Sequence, residues 1–157
     1  MMKSLGVALT LSALLLTSSS ATAAARLSPQ DVADIQQLYA RYNFAIDTGD
    51  AAGWADTFTA DGVFNKSFTG RDALMGFIKL WREKLSGANR RHWNSNLNLS
   101  GTPNGAHGEV YLMLLDVSVK PAVINTTGTY SDELVKTKDG WRFKTRAVNA
   151  DTPAAKN

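Results

Sequence analysis

The stretch RRHWNSNLNL, residues 90–99, places polar side chains capable of acid–base chemistry at alternate positions. His92 can exchange a proton near neutral pH, and a carboxylate held against its ring would fix its tautomer and orientation. Asp47 is a candidate for that carboxylate, because it lies at the predicted C-terminal end of a long helix. The helix dipole disfavours an anion there, which is unusual enough to suggest an acid held beneath a pocket. Spacing alone does not bring the two together. Asp47 could instead form an Asx turn into Gly49, and His92 could face water on a strand.

Arg146 is the third candidate, and the alternation of its strand predicts a solvated charge, since Trp141 and Phe143 occupy the other face. A guanidinium beside a pocket could instead hold an oxyanion or a leaving group. Several aromatic residues could line an apolar site or form plain core, and the hydroxyls of the tyrosines could take part in chemistry: Tyr39, Tyr42, Trp54, Phe64 and Tyr130.

The elements that must position these residues are helices first and strands afterwards, which predicts an α+β fold. Ser28, Pro29 and Asp31 are typical of a helix start, and the helix should end near Asp47. Asp50 should cap a short second helix, and a third should begin after Gly70 and stop around Ser86. The second helix should hold Trp54 and Phe58, and a turn should follow at 59–62. Strands are predicted at 63–64, 90–100, 107–119, 124–137 and 141–148.

Residues 1–25 have the pattern of a secretory signal peptide, with Lys3, an apolar run from Val7 to Leu16 and an A-x-A site. The run is shorter than the roughly 20 residues of a membrane span. We therefore expect an exported protein, periplasmic or secreted, with one domain at 26–149, a flexible tail at 150–157 and no membrane span after cleavage.

Composition excludes several kinds of site. The sequence contains no cysteine and only two histidines, so it offers no disulfide or thiolate, and we expect no metal site. Its net charge of +3 comes from interspersed residues, which does not favour a nucleic-acid partner. Phosphate-binding and dinucleotide-binding glycine motifs are also missing. Sequons at Asn65, Asn98 and Asn125 matter only if the source glycosylates exported proteins.

Four segments together resemble the SnoaL-like branch of the nuclear-transport-factor-2-like (NTF2-like) superfamily. They are LYARYNFAIDTGDAAGWADTFTADGVF, GRDALMGF, RRHWNSNLNL and GTYSDELVKTKDGWRFKTR. The resemblance implies a cone in which three N-terminal helices pack on a strongly curved mixed sheet and enclose a pocket. It also implies a homodimer or homotrimer and a small-molecule substrate or ligand.

The resemblance is closest to the group of hexachlorocyclohexane dehydrochlorinase and scytalone dehydratase. It implies that His92 points into the cone as a general base, that Asp47 orients it, and that Asn96 and Arg146 contact the substrate. Tyr42 replaces a lysine of the dehydrochlorinase, which favours polarising an oxygen over assisting chloride departure. The expected activity is a lyase or isomerase that needs no cofactor. The alternative is a noncatalytic binding or assembly module.

Overall fold

The structure, a computed structural model, describes residues 26–151 as three helices and a six-stranded sheet. The predicted α+β class is confirmed. The proposed signal peptide lies outside the described residues, and so do positions 152–157 of the expected tail. Within residues 26–151, no helix has the length and hydrophobicity needed to cross a membrane. The elements are α1 (Pro29–Thr48), α2 (Ala51–Ala55), β1 (Phe58–Phe64), β2 (Phe68–Thr69), α3 (Arg71–Leu85), β3 (Arg90–Thr102), β4 (Gly105–Asp116), β5 (Val123–Thr137) and β6 (Gly140–Ala150).

Helix α1 has fixed ends because its sequence supplies a cap at each. Ser28 and Asp31 form a reciprocal capping box, and Gly49 ends the helix in the left-handed conformation, with a φ of 77°. The face that α1 turns to the sheet carries large apolar and aromatic side chains at helical spacing. They are buried: Ile35, Leu38, Tyr39, Tyr42, Ala45 and Ile46.

The sheet is mixed, with strand order β2-β1-β6-β5-β4-β3. Only the β1–β6 pair is parallel, and the other four pairs are antiparallel. The helices pack on one face of this curved sheet, and the core lies between the two layers. Because the long strands β3 to β6 form one continuous surface, they can carry polar side chains into that enclosed face.

The segment after α2 differs from its prediction. Phe58 was expected in the second helix and residues 59–62 in a turn, whereas all of them belong to β1. The pairing of β1 with β6 shifts register between Phe58 and Val63, so the chain bulges where the turn signal of Asp61 and Gly62 stands. The turn residues therefore mark an irregular strand, not a separate loop.

Asp31 joins the start of α1 to the end of the sheet. Its Oδ1 accepts hydrogen bonds from Lys136 Nζ at 2.7 Å and from Trp141 Nε1 at 3.0 Å, while Oδ2 accepts from Ser28. The hydrogen bond from Lys136, followed by those from Ser28, holds the pKa of Asp31 well below its ordinary value.

We expect Asp31→Asn to lower the free energy of unfolding at pH 7, because the ionised carboxylate is what these donors stabilise. A depressed pKa in the folded state gives stability above the unfolded pKa of about 3.9, which is lost as pH falls further. The difference from wild type should therefore shrink between about pH 4 and pH 2. Urea unfolding across this range measures it, with Asp34→Asn as the control. A pH-independent difference would contradict this account.

Candidate active site

Asp47 and His92 are in direct contact, across the gap between the end of α1 and the start of β3. His92 Nδ1 lies 2.6 Å from Asp47 Oδ1, and the backbone N–H of His92 donates to Asp47 Oδ2 at 3.1 Å. Both side chains are nearly buried, with 5% and 9% of their surface exposed. Because the Asp47 carboxylate contacts both the ring and the backbone N–H of His92, the imidazole has a fixed orientation. With Nδ1 donating to Asp47, Nε2 is the basic nitrogen.

A β-bulge sets the direction of His92. The pairing of β3 with β4 shifts register between Ser95 and Asn98, and Asn96 adopts a φ of 58°. An extra residue reverses the alternation of a strand, so His92 before the bulge and Leu97 after it face the same side. His92 is consequently buried, and the solvent-facing interpretation of its strand position is wrong.

The bulge also corrects two other expectations for this strand. In a regular strand Trp93 would share a face with Leu97 and Leu99; instead it is 62% exposed, while both leucines pack against the core. Asn96 was expected to position the substrate, but its side chain is exposed at the bulge and does not line the cavity beside His92.

That cavity has a volume of about 420 Å³, within the usual range of small-molecule sites. Its deep end is formed by Tyr42 and Tyr130, which are 0% and 1% exposed, and its mouth includes the exposed Leu80 and Lys84. Most of the wall is apolar or aromatic. Sixteen residues line it: Tyr42, Ile46, Phe64, Asn65, Phe68, Phe77, Leu80, Trp81, Lys84, His92, Leu112, Leu114, Asn125, Thr126, Tyr130 and Val148.

The two phenols at the deep end stay protonated near neutral pH. Burial raises the pKa of Tyr42 to about 12, although the positive charge of Arg146 works against that rise. Burial likewise raises the pKa of Tyr130 well above its ordinary value. The Tyr42 hydroxyl has no hydrogen-bond partner within residues 26–151. It is thus an unsatisfied, buried donor at the deep end of the cavity.

Arg146 lies behind the phenols and does not line the cavity. Its side chain has no exposed surface, and its Nε and Nη2 donate to the two oxygens of Asp132 at 2.8 and 2.7 Å. Tyr39 donates to the same carboxylate. Burial lowers the pKa of Arg146, but the Asp132 carboxylate more than offsets this and keeps it charged. Four rings surround the guanidinium carbon at 3.9–4.5 Å from their centroids: Tyr39, Tyr42, Tyr130 and Phe143.

A register shift in the β5–β6 pair explains why strand alternation predicted an exposed position for Arg146. The β5–β6 pairing shifts between Glu133 and Leu134, so that Lys144 has no partner in the register. Phe143 and Arg146 therefore both face inward, although an even and an odd position of a regular strand would face opposite sides. The solvated charge expected at Arg146 is a buried one.

A family model for the SnoaL-like domain matches residues 28–147. The chain belongs to this family. A protein of unknown function from Mycobacterium tuberculosis shares 28% identity with it and a TM-score of 0.72, over 80% of this chain and 79% of its own. A Catenulispora acidiphila protein solved in complex with S-DNPA shares 28% identity and a TM-score of 0.71, over 79% and 96%. No curated protein is detectably similar.

The NTF2-like cone expected from the sequence is confirmed by these matches. An NTF2-like protein with a cystatin-like fold from Novosphingobium aromaticivorans adds to them, with 20% identity and a TM-score of 0.69 over 80% of this chain and 85% of its own. At that identity the likeness concerns the fold alone.

The SnoaL-like domain brings together four of the residues singled out from the sequence. His92, Tyr42, Phe64 and Tyr130 line one cavity, and Asp47 contacts His92 from outside it. Tyr39 and Trp54, like Arg146 and Asn96, do not reach the cavity. Tyr39 belongs to the buried network around Asp132, and Trp54 packs in the core with its ring centroid 5.2 Å from that of Phe64.

Asp132 is the buried charge that the sequence analysis missed. In β5 of the SnoaL-like domain, Tyr130, Asp132 and Leu134 alternate on one face, and each is 1% exposed. An acid in phase with two large core residues could have been recognised as an inward-facing charge that needs a partner. Lys84 of α3, which lies at the cavity mouth, was not predicted as a site residue either.

We expect the neutral His92 ring to carry its proton on Nδ1, because Asp47 accepts there. In Asp47→Asn, the side-chain amide can donate to Nδ1 instead, and the proton should move to Nε2. Two-bond ¹H–¹⁵N spectra at about pH 8 distinguish the two tautomers of a neutral imidazole. The partly exposed His107 is the internal control, and an unaltered His92 pattern in the variant would argue against the contact.

We expect Arg146→Met to destabilise the SnoaL-like domain by about 3–5 kcal/mol, because Asp132 would remain buried without its counter-charge. The double variant Asp132→Leu/Arg146→Met should recover a large part of this loss, since neither charge is then buried. Chemical denaturation measures both. The exposed pair of Arg71 and Asp56 is the control, and Arg71→Met should cost no more than about 1 kcal/mol. An Arg146→Met variant as stable as wild type would contradict the assigned role.

Proposed function

We propose that this protein is a cofactor-independent lyase or isomerase in which His92 removes a proton from a carbon atom of a small, mostly apolar substrate. The observation that carries the proposal is the position of His92. Its ring lies in the wall of a ligand-sized cavity, while Asp47 engages Nδ1 from the outer side. A base of this kind, oriented and partly desolvated, contributes roughly 10²- to 10⁴-fold to a proton transfer.

The first step breaks a C–H bond next to a carbonyl group. The proton goes to Nε2 of His92, and the electron pair moves toward the carbonyl oxygen. Asp47 stabilises the imidazolium that results, as the carboxylate of a His–Asp pair does. Tyr42 and Tyr130 donate hydrogen bonds to the oxygen on which negative charge develops, and such preorganised donors act strongly in a cavity that excludes water.

The second step distinguishes the two reaction types. In an elimination, the electron pair forms a C=C bond, the neighbouring C–O bond breaks, and the leaving hydroxyl takes the proton from the His92 imidazolium and departs as water. In an isomerisation, the imidazolium returns its proton to a different carbon. Both outcomes restore neutral His92, so the same groups serve either reaction.

Within this proposal Arg146 is a positioning residue. It was expected to stabilise charge on the substrate, but it has no surface in the cavity. Its charge reaches the substrate through the phenols, because its guanidinium carbon lies 4.2 Å from the ring centroid of Tyr42 and 4.1 Å from that of Tyr130.

The test uses 3-hydroxy-1-tetralone, a flat ketone with acidic C2 protons and a hydroxyl group on C3. Exchange of the C2 protons in D₂O, followed by NMR, reports proton abstraction, and the appearance of 1-naphthol reports elimination. We expect wild type to catalyse at least the exchange. His92→Ala should reduce it by about 10²- to 10⁴-fold, and Asp47→Asn should reduce it by a smaller factor.

His107→Ala is the matched control, because this second histidine lies on the outer surface and should leave the rate unchanged. Exchange at the same rate in His92→Ala would remove His92 as the base. Exchange without naphthol formation would favour isomerisation over elimination.

A noncatalytic binding module is the second candidate. The mostly apolar wall favours it, since such a cavity binds small molecules without any chemistry, and a structural relative was solved with a small molecule bound. A ligand whose affinity is unchanged in His92→Ala, together with no proton exchange on any ketone probe, would favour this candidate. Export of the protein and assembly into a homodimer or homotrimer stay predictions from the sequence.

A further inference from the structure

We infer that the cavity selects flat aromatic molecules that carry a carboxylate or similar anionic group, which Lys84 binds at the mouth. This inference rests on the proposed function, because it takes the ligand of this cavity to be the substrate. It names the substrate class that the site of His92 would accept.

The charge distribution of the cavity is one-sided. None of the sixteen residues that line it is an aspartate or glutamate, and Lys84 is the one lysine or arginine among them. Lys84 has no ion-pair partner within residues 26–151. An ammonium group beside a largely apolar wall attracts an anion more strongly than the same group in open water does.

The spacing on α3 places Lys84 at one end of an aromatic surface. Phe77, Trp81 and Lys84 follow one another at intervals of four and three residues, so they share a helix face. The rings of Phe77 and Trp81 are nearly parallel, with an interplanar angle of 18° and 6.5 Å between centroids. A flat ring system can lie against such a surface, which disfavours bulky, non-planar ligands.

The same surface leads to the proposed base. The ring centroid of Trp81 lies 6.3 Å from that of His92. A ligand whose ring packs on Trp81 therefore has its middle beside the imidazole. From there it can extend a carboxylate to Lys84 in the exposed mouth and an oxygen toward Tyr42 and Tyr130 at the buried end.

The test compares 2-naphthoate with 2-naphthamide, which have the same shape and differ in charge at about pH 8. Binding is followed by NMR through the indole N–H signal of Trp81, assigned with Trp81→Phe. This group is buried and has no hydrogen-bond partner within the described residues. At low ionic strength we expect naphthoate to bind about three- to tenfold more tightly than naphthamide.

Lys84→Met should bring the two dissociation constants to about the same value, mainly by weakening naphthoate. Lys79→Met is the matched control, because Lys79 is exposed on the same helix and does not line the cavity. A preference for naphthoate that is absent in wild type, or that survives Lys84→Met, overturns the inference. Failure of both compounds to bind overturns it as well.

These outcomes are independent of turnover. If the preference depends on Lys84 but His92→Ala does not change proton exchange on the ketone probe, the proposed catalysis fails and the ligand class stands. If His92 is required for exchange and the carboxylate gives no advantage, the ligand class fails and the catalysis stands.

Discussion

The floor of the cavity depends on the ion pair between Arg146 and Asp132. Two buried charges are tolerated best when hydrogen bonds satisfy them, and here two N–H···O bonds and the Tyr39 hydroxyl satisfy the Asp132 carboxylate. Nη1 of Arg146 has no hydrogen-bond partner within residues 26–151, and the guanidinium is enclosed by aromatic rings. The aromatic rings that shield the guanidinium include those of Tyr42 and Tyr130, whose other sides face the cavity. The contacts that make the charge pair tolerable therefore also fix the phenols that a ligand would meet.

Helix α1 connects this floor to the proposed base. Tyr39 contacts Asp132, Tyr42 lines the cavity and Asp47 holds His92, all from the face that α1 turns toward the sheet. Asp47 follows Tyr39 by eight positions, which is about 12 Å along the helix axis. Because caps fix both ends of α1, this separation is set by the helix itself. A shift of the helix along its axis would disturb the ion pair and the dyad together.

The sequence was sufficient for α1 and α3 and for the approximate bounds of β3 to β6, because caps, glycines and changes of period mark them. It was insufficient at the bulges. Nothing in RRHWNSNLNL shows which residue is the extra one, although an asparagine tolerates the left-handed conformation found at Asn96. In β6, no feature of the sequence marks Lys144 as the residue without a partner in the strand register. One extra residue reverses the phase of a strand, so alternation predicted exposed positions for both His92 and Arg146. The family resemblance indicated the inward direction of both, but it could not distinguish a residue in the cavity from one behind it.

Asp47 and Asp132 both lie outside the cavity wall, and this position affects which ligands the cavity accepts. Asp47 lies on the outer side of His92, where it lines a second groove with Phe44 and Trp93, and among the described residues His92 is the one that this groove shares with the cavity. Asp132 lies behind the phenols. Each acid supports a group of the cavity wall without being part of that wall. A ligand in this cavity therefore meets an imidazole, two phenol side chains and Lys84, but no carboxylate of the described residues. This arrangement stabilises negative charge at two places. Under the proposed function, the deep end accommodates the charge that develops on an oxygen during proton abstraction, and under the inferred ligand class, the mouth accommodates a charge that the ligand already carries.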